Sequence, residues 1–157
     1  MVSLFLRNLL FTILQPGIIA GLIPFWIVHD QVLNFLKRPL GFYDYLGIVV
    51  SIIGVIILSL CILSFALLGR GTLSPADPTK NLVVKGLYQY SRNPMYVGVT
   101  MMLLGEVIMF QSVSLIIYSF SIFTAFNIFI ILFEEPRLKK DFGEEYNKYY
   151  KKVRRWM

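Results

Sequence analysis

Long apolar runs constrain this chain more than any other feature of its sequence. Four of them cover residues 9–28, 45–68, 95–110 and 113–133. A helix that crosses a membrane needs about 20 predominantly apolar residues. Hydrophobic residues make up 57% of the chain of 157, and a chain this short cannot bury so many of them behind its own surface. The sequence therefore predicts an all-α integral membrane protein with about four transmembrane helices, in one domain covering residues 1–157.

The connections between these runs predict how the spans are arranged. Only Gln111 and Ser112 separate the third span from the fourth, which predicts a tight antiparallel hairpin. Pro16 and Pro24 predict kinks in the first span. Glu106, near the far end of the third span, is expected to reach the membrane interface by extending its side chain.

The distribution of Lys and Arg predicts the orientation in the membrane. The connection 69–94 carries four cations against one acid, whereas the loop 30–41 carries two cations against one acid. Cytoplasmic loops are enriched in Lys and Arg, so this connection and both termini are expected in the cytoplasm. The protein is thus predicted to be multi-pass, in the plasma membrane if it is prokaryotic.

The segment after Pro136 contains eight of the fifteen Lys and Arg residues. Next to a membrane, such a basic tail favours contact with anionic lipid head groups over nucleic acid as a partner. Its apolar residues follow helical spacing, which predicts a C-terminal amphipathic helix on the cytoplasmic side. The pattern leaves open whether this helix is an anchor or a functional lid. The stripe consists of Phe142, Tyr146, Tyr149, Tyr150 and Val153.

Two glycines in the first span, Gly17 and Gly21, form a small-xxx-small pattern. Such a pattern lets two helices approach closely. The interpretation favoured here is packing within one molecule, and the alternative is a homo-oligomer formed through the same two residues.

Polar residues gather where the third span begins and the fourth ends. Arg92, Asn93 and Tyr96 lie at the first position, and Glu134 and Glu135 at the second. Adjacent carboxylates at a membrane exit are costly without partners, so they are candidates for function. The equally weighted alternative is a solvated pair that ends the helix before Pro136. The single histidine excludes a histidine-based metal site, and no metal is expected.

The second half of the sequence resembles the isoprenylcysteine carboxyl methyltransferase and phospholipid methyltransferase superfamily. The resemblance covers residues 85–156. It consists of "GLYQYSRNPMYVG", an apolar hairpin, and "FEEPRLKKDFGEEYNKYYKKVRRW". Two positions depart from the family pattern: Asn93 stands where histidine is commoner, and Arg154 stands where the terminal Val-Pro-Arg has proline.

The resemblance implies an enzyme that transfers a methyl group from S-adenosylmethionine, bound in the half 85–157, to a lipid or lipidated acceptor. Carboxylates would meet the cofactor's ammonium, Arg92 and Tyr96 its carboxylate, and apolar or aromatic side chains its adenine. The implied catalytic residues are Glu135, as a base for an amine acceptor, and Arg155. The implied cofactor-binding residues are Leu87, Tyr90, Arg92, Asn93, Pro94, Met95, Tyr96, Glu134, Glu135 and Tyr146.

The acceptor favoured by the sequence is a prenylated thioether carboxylate on a small molecule or peptide. The reason is Arg155, whose charge would attract a carboxylate and repel an ammonium group. The leading alternative is an aminophospholipid, which would make the protein a phospholipid N-methyltransferase. A sterol-reductase-like enzyme and a non-catalytic membrane module are further alternatives.

Overall fold

The computed structural model describes residues 14–35, 37–64 and 81–156. In these ranges the regular structure is helical. The helices are named here in chain order. They are α1 (Leu14–Ile27), α2 (His29–Phe35), α3 (Phe42–Ser64), α4 (Pro94–Phe110), α5 (Val113–Phe129) and α6 (Glu135–Lys152). A single 3₁₀ turn, Gly86–Gln89, precedes α4.

Two helices are long and apolar enough to cross a membrane. They are α3, with 23 residues, and the continuous helix Val113–Lys152, with 40 residues. The pair α1 and α2, bent by 84°, would make a third if it counts as one span. Helix α4 is apolar but shorter, with 17 residues. The architecture is therefore helical with two or three candidate spans, and the count of four stays a prediction.

The first predicted span is kinked, as Pro16 and Pro24 predict. Its beginning, residues 9–13, lies outside the described residues. The described part contains a π-helical turn at Ile18–Leu22, where Ala20 leaves helical geometry. Tyr118 donates a hydrogen bond of 2.8 Å to the carbonyl oxygen of Ile19 within this turn. A tertiary contact thus satisfies a backbone group that the wider turn leaves available.

The loop predicted at residues 30–41 is wrong for its first part. Residues His29–Phe35 form α2, which continues after a sharp bend at Val28. The sequence there is polar, which favoured a loop. Backbone hydrogen bonding nevertheless continues across the bend, since the amide N–H groups of Val28 and Val32 donate to the carbonyl groups of Pro24 and Val28.

Helices α3 and α4 pack with their backbones in close contact. A Cβ atom on Gly47 would lie 2.5 Å from the carbonyl oxygen of Gly105, and one on Gly54 would lie 2.6 Å from that of Gly98. No side chain fits at such distances, so the four glycines define a seam between the two helices. This seam fixes where α4 begins, and α4 begins at the predicted polar cluster.

Gly17 and Gly21 play no comparable part in the described structure. A Cβ atom on either residue would meet nothing within 4 Å. The favoured interpretation, close packing inside one molecule, is therefore not found in residues 14–35, 37–64 and 81–156. The homo-oligomer stays a prediction.

The hairpin of α4 and α5 has the predicted two-residue connection. Helix α4 ends at Phe110, and Gln111 adopts left-handed geometry with φ of 47° before α5 begins at Val113. At the other end of α5, a π-helical turn at Ile130–Glu134 leads directly into α6. Pro136 therefore does not end the helix, because it occupies the first turn of α6, where its missing N–H costs little.

Helix α6 is broken once, at Gly143, which has φ of 50° and ψ of −119°. The segment after the break buries Tyr146, which is 1% exposed, and leaves Lys148, Lys151 and Lys152 exposed. A helix is present where the stripe predicted one. Its cytoplasmic location stays a prediction.

Candidate functional site

A short turn before α4 is joined to the C-terminal end of the chain. The backbone N–H of Arg92 donates to the carbonyl oxygen of Arg154 at 2.9 Å. The hydroxyl of Ser91 and the side-chain amide of Asn93 both donate to the carbonyl oxygen of Arg155, each at 3.1 Å. These three bonds attach the turn 91–93 to residues 153–156, which are called the C-terminal strap below.

The strap is also attached to α5. The indole N–H of Trp156 donates to Oδ1 of Asn127 at 3.2 Å. Its ring lies 5.1 Å from the ring of Phe123, measured between centroids. Because α5 is part of a candidate membrane span, these contacts bring the end of the chain back against that span.

Glu135 lies between two guanidinium groups. Arg155 donates to both of its oxygens, from Nε to Oε1 at 2.9 Å and from Nη2 to Oε2 at 3.1 Å. Nη1 of Arg92 lies 3.2 Å from Oε1, and both of these side chains are nearly buried. The hydrogen bonds to Glu135 raise the pKa of Arg155 above its ordinary value. Glu135 therefore positions two arginines, and its own oxygens are occupied.

Arg92 has hydrogen-bonding capacity left over. Its Nε and Nη1 atoms are buried and have no hydrogen-bond partner in the described part of the chain, although Nη1 is close to Glu135. Its guanidinium carbon lies 3.9 Å from the centre of the Tyr150 ring, a cation–π contact. Nη1 is engaged in the ion pair with Glu135, which leaves Nε. Buried donors are normally satisfied, so Nε of Arg92 is a place where an anionic ligand group would bind.

Glu134 has different surroundings from its neighbour. The hydroxyl of Tyr96 donates to its Oε2 atom at 2.8 Å. Among the residues that the structure describes, Glu134 makes no ion pair. The nearby charge of Arg137 acts on Glu134 from beyond ion-pair distance. A partly buried carboxylate with no cation in direct contact is a place where an ammonium group would bind.

The remaining predicted residues form the walls of this region or lie outside it. Pro94 is buried at the start of α4, and Met95 and Leu87 pack against the apolar clusters that contain Val99 and Tyr88. Tyr146 is buried beside Tyr149 and Tyr150. Tyr90, in contrast, is 74% exposed and does not belong to the buried cluster.

Sequence reasoning missed three contributors to the site: Ser91, Tyr150 and Trp156. Tyr150 was visible in the apolar stripe of α6, and its contact with Arg92 could have been expected from a tyrosine on the same face as Tyr146. Trp156 gave no spacing signal, because it follows the end of α6. Tyr149 also has a structural role, since its hydroxyl donates to the carbonyl oxygen of Tyr88 at 2.7 Å.

Two further buried polar atoms have no partner in the described ranges, Oε2 of Glu106 and Oγ of Ser119. This oxygen of Glu106 is enclosed by the protein, and the extension of the side chain to the membrane interface stays a prediction. Nothing in the structure assigns either atom a role.

A helical membrane protein with carboxylates and guanidiniums gathered at one end of its spans is built like an enzyme that acts at the membrane surface. A family model described as phospholipid methyltransferase matches residues 42–145, well over half of the chain. The chain therefore belongs to the phospholipid methyltransferase family. No curated protein and no solved structure matches it. The match includes Arg92, Tyr96, Glu134 and Glu135, and it ends before the C-terminal strap.

The family implies a methyl donor, generally S-adenosylmethionine, and the residues present fit that molecule. Its amino-acid end carries one carboxylate and one ammonium group. The site offers a complementary set: the unpaired Nε–H of Arg92 and, on Glu134, a carboxylate that has no ion pair in the described part of the chain. The roles of the individual residues stay predictions.

Proposed function

We propose that this protein transfers a methyl group from S-adenosylmethionine to the amine head group of a membrane phospholipid, where α4 and α6 begin. One observation carries this proposal. In a chain of the phospholipid methyltransferase family, Glu134 makes no ion pair among the described residues, while Arg92, paired with Glu135 through Nη1, keeps its buried Nε without a partner.

The donor would be held by residues from two helices. S-adenosylmethionine, when bound, supplies a methyl group made electrophilic by a positively charged sulfur. Arg92 would bind its carboxylate and Glu134 its ammonium group. Tyr96 fixes the orientation of Glu134 through their hydrogen bond, and Glu135 fixes that of Arg92. Such fixed charges contribute to catalysis by alignment.

The acceptor would reach the site from the lipid. Leu132 and Phe133 directly precede Glu134 and are 61% and 62% exposed. A phospholipid whose acyl chains lie along these two side chains would have its head group at the depth of Glu134. The attacking amine must be unprotonated, and a site poor in water favours the neutral form.

The state of Arg155 supports an amine acceptor over a carboxylate acceptor. The preference for a prenylated thioether carboxylate depended on a free cation at this position. Arg155 instead donates to both oxygens of Glu135, so its charge is already compensated. A zwitterionic aminophospholipid needs no additional cation, and it agrees with the family description.

The test is a methyl-transfer assay with radiolabelled S-adenosylmethionine and the purified protein in lipid nanodiscs. The acceptors are phosphatidylethanolamine, its tailless counterpart glycerophosphoethanolamine, and a prenylcysteine. We expect label in the phosphatidylethanolamine product alone. Label mainly in the prenylcysteine would reverse the choice of acceptor, and equal labelling of the tailless amine would refute entry from the lipid.

Binding of S-adenosylmethionine, measured by calorimetry in detergent, separates the remaining alternatives. Binding is expected for a methyltransferase. A protein that binds a reduced nicotinamide cofactor instead would be sterol-reductase-like, and one that binds neither would be a non-catalytic membrane module.

A further inference from the structure

The end of α6 and the strap carry a group of cations that nothing in the described structure neutralises. From Tyr146 to Trp156 the sequence contains five basic residues and no acidic one. Arg155 is engaged with Glu135. The other four are exposed and, in the ranges described, make no ion pair. They are called the cationic patch: Lys148, Lys151, Lys152 and Arg154.

The earlier part of α6 is different. There Arg137 lies 3.6 Å from Asp141, an i,i+4 ion pair, and Glu144 and Glu145 follow. Positive charge is thus balanced before Tyr146 and unbalanced after it. A patch of this kind would attract anions wherever it is exposed.

The contacts of the strap indicate which anion the patch would meet. Trp156 packs against Phe123 and donates to Asn127, and both belong to α5, part of a candidate span. Neighbouring residues of α5 are apolar and exposed, such as Phe120 at 71%. Arg154 lies two residues before Trp156. Arg154 is therefore near a lipid-facing surface, and the other three cations lie on the last turns of α6, directly before it in the chain. At such a surface anionic head groups are the abundant anions.

The same segment forms part of the candidate site. The carbonyl oxygens of Arg154 and Arg155 accept the three hydrogen bonds from the turn 91–93, and Arg155 holds Glu135. Anything that fixes the strap at the membrane surface would also fix the turn that carries Arg92. The patch lies on the end of α6 and on Arg154 of the strap, so it is continuous in the chain with the residues that hold the turn 91–93.

We propose that the cationic patch is a binding surface for anionic phospholipids, and that lipid bound there keeps the strap on the site and so raises the rate of methyl transfer. The binding step is independent of the protein's reaction. The effect on rate rests on the proposed function.

The binding experiment measures which lipids stay with the purified protein. The protein is released from nanodiscs of phosphatidylcholine and phosphatidylglycerol, and retained lipids are counted by native mass spectrometry. We expect phosphatidylglycerol to be retained preferentially. In the variant K148Q/K151Q/K152Q/R154Q this preference should fall on the order of tenfold, since each basic residue near an anionic surface contributes measurably to binding. The charge-preserving variant K148R/K151R/K152R should keep it.

The rate experiment uses nanodiscs with a fixed fraction of phosphatidylethanolamine, with and without phosphatidylglycerol. The wild-type protein should transfer methyl groups several-fold faster with the anionic lipid, and the neutralised variant should lose the difference. Circular dichroism of both variants shows whether α6 is still folded. The comparison of the two nanodiscs with the wild-type protein tests the effect on rate even if the neutralised variant does not fold.

The outcomes separate this inference from the proposed function. If the wild-type protein retains both lipids equally, the cationic patch is not a binding surface for anionic phospholipids. If the rates in both nanodiscs are equal, bound lipid does not raise the rate of methyl transfer, even if that transfer is robust. Selective retention without methyl transfer in any lipid would leave the surface established and refute the reaction.

Discussion

The two ends of the helical bundle each contain a buried carboxylate paired with arginine, and the pairs differ in one respect. At one end, Asp44 accepts hydrogen bonds of 2.7 Å from Nη1 and Nη2 of Arg38 and one of 2.7 Å from the backbone N–H of Gly41. At the other end, Glu135 meets Arg92 and Arg155. The pKa of Arg38 and that of Arg155 are both raised, in each case first by a hydrogen bond to the carboxylate.

The Asp44 pair is complete and local. One carboxylate meets one guanidinium six residues away, and the third bond closes the turn that begins α3. The Glu135 cluster joins distant parts of the chain. Next to it, Nε of Arg92 has no hydrogen-bond partner and Glu134 has no ion pair among the described residues. Local and satisfied polar groups indicate a structural cap, whereas distant and unsatisfied groups indicate a binding site.

The Asp44 end also contains a cavity. A cavity of about 250 Å³ lies at the Asp44 end. Asp44 and Arg38, which line this cavity, are paired with each other, so the cavity alone gives no reason to place a ligand there. The residues that line the cavity are Arg38, Gly41, Phe42, Tyr43, Asp44, Met109, Phe110 and Gln111.

The largest effect is expected from a test of whether the two ends face opposite sides of the membrane. Cysteine introduced at Lys37, and separately at Lys148, should react with an impermeant maleimide from opposite sides, because both positions are exposed. The native Cys61 is buried and gives little background. Labelling of both positions from one side would remove the predicted topology.

Breaking the Glu135 cluster should have the largest effect on stability. Glu135→Gln removes the negative charge between two guanidiniums and leaves them facing each other in a nearly buried position. We expect a loss of about 3–5 kcal/mol in the free energy of unfolding. Thermal unfolding in detergent measures it. Glu145→Gln, on the exposed surface of the same helix, is the matched control and should be close to wild type.

Glu134→Gln should weaken the binding of S-adenosylmethionine while the protein keeps its stability. Because Glu134 makes no ion pair in the described part of the molecule, its charge is available to a ligand. We expect the affinity for S-adenosylmethionine to fall about tenfold to hundredfold by calorimetry, with little change in unfolding temperature. Glu144→Gln serves as the control. An unchanged affinity would contradict the assigned role.

The smallest effect on function is expected at Asp44. Asp44→Asn weakens the cap of α3, so the unfolding temperature should fall, by less than it does for Glu135→Gln. The affinity for S-adenosylmethionine should stay within about twofold of wild type, because uncoupled sites behave additively. A clear loss of affinity would show that the two ends are coupled.

The sequence predicted the helical hairpin and the polar cluster well, for physical reasons. Apolar runs of span length have few alternatives to helices in a membrane. Arg92 and Tyr96 lie at the beginning of α4, and Glu134 lies just after the end of α5. A two-residue connection between the helices makes them a hairpin, which places the beginning of α4 next to the end of α5. The hydrogen bond of 2.8 Å between Tyr96 and Glu134 agrees with that argument.

The sequence did not predict features that depend on tertiary contacts. The π-helical turn in α1 is accompanied by the hydrogen bond from Tyr118, which is almost a hundred residues away. The pair of Asp44 with Arg38 gives no signal in the sequence, because Asp44 borders an apolar run and Arg38 lies in the connection before it. The return of Trp156 to Asn127 follows from no periodicity at all.

The attachment of the strap through backbone carbonyl groups has a consequence for how this segment changes in evolution. Arg92 binds the carbonyl oxygen of Arg154, which every amino acid supplies, and the N–H of Arg154 makes no hydrogen bond in the described structure. Proline, which stands at this position in the pattern that the sequence resembles, also has this carbonyl oxygen and would lose no hydrogen bond of its own N–H there. The attachment therefore places no demand on the side chain at residue 154, and that side chain can serve another purpose, such as contact with lipid.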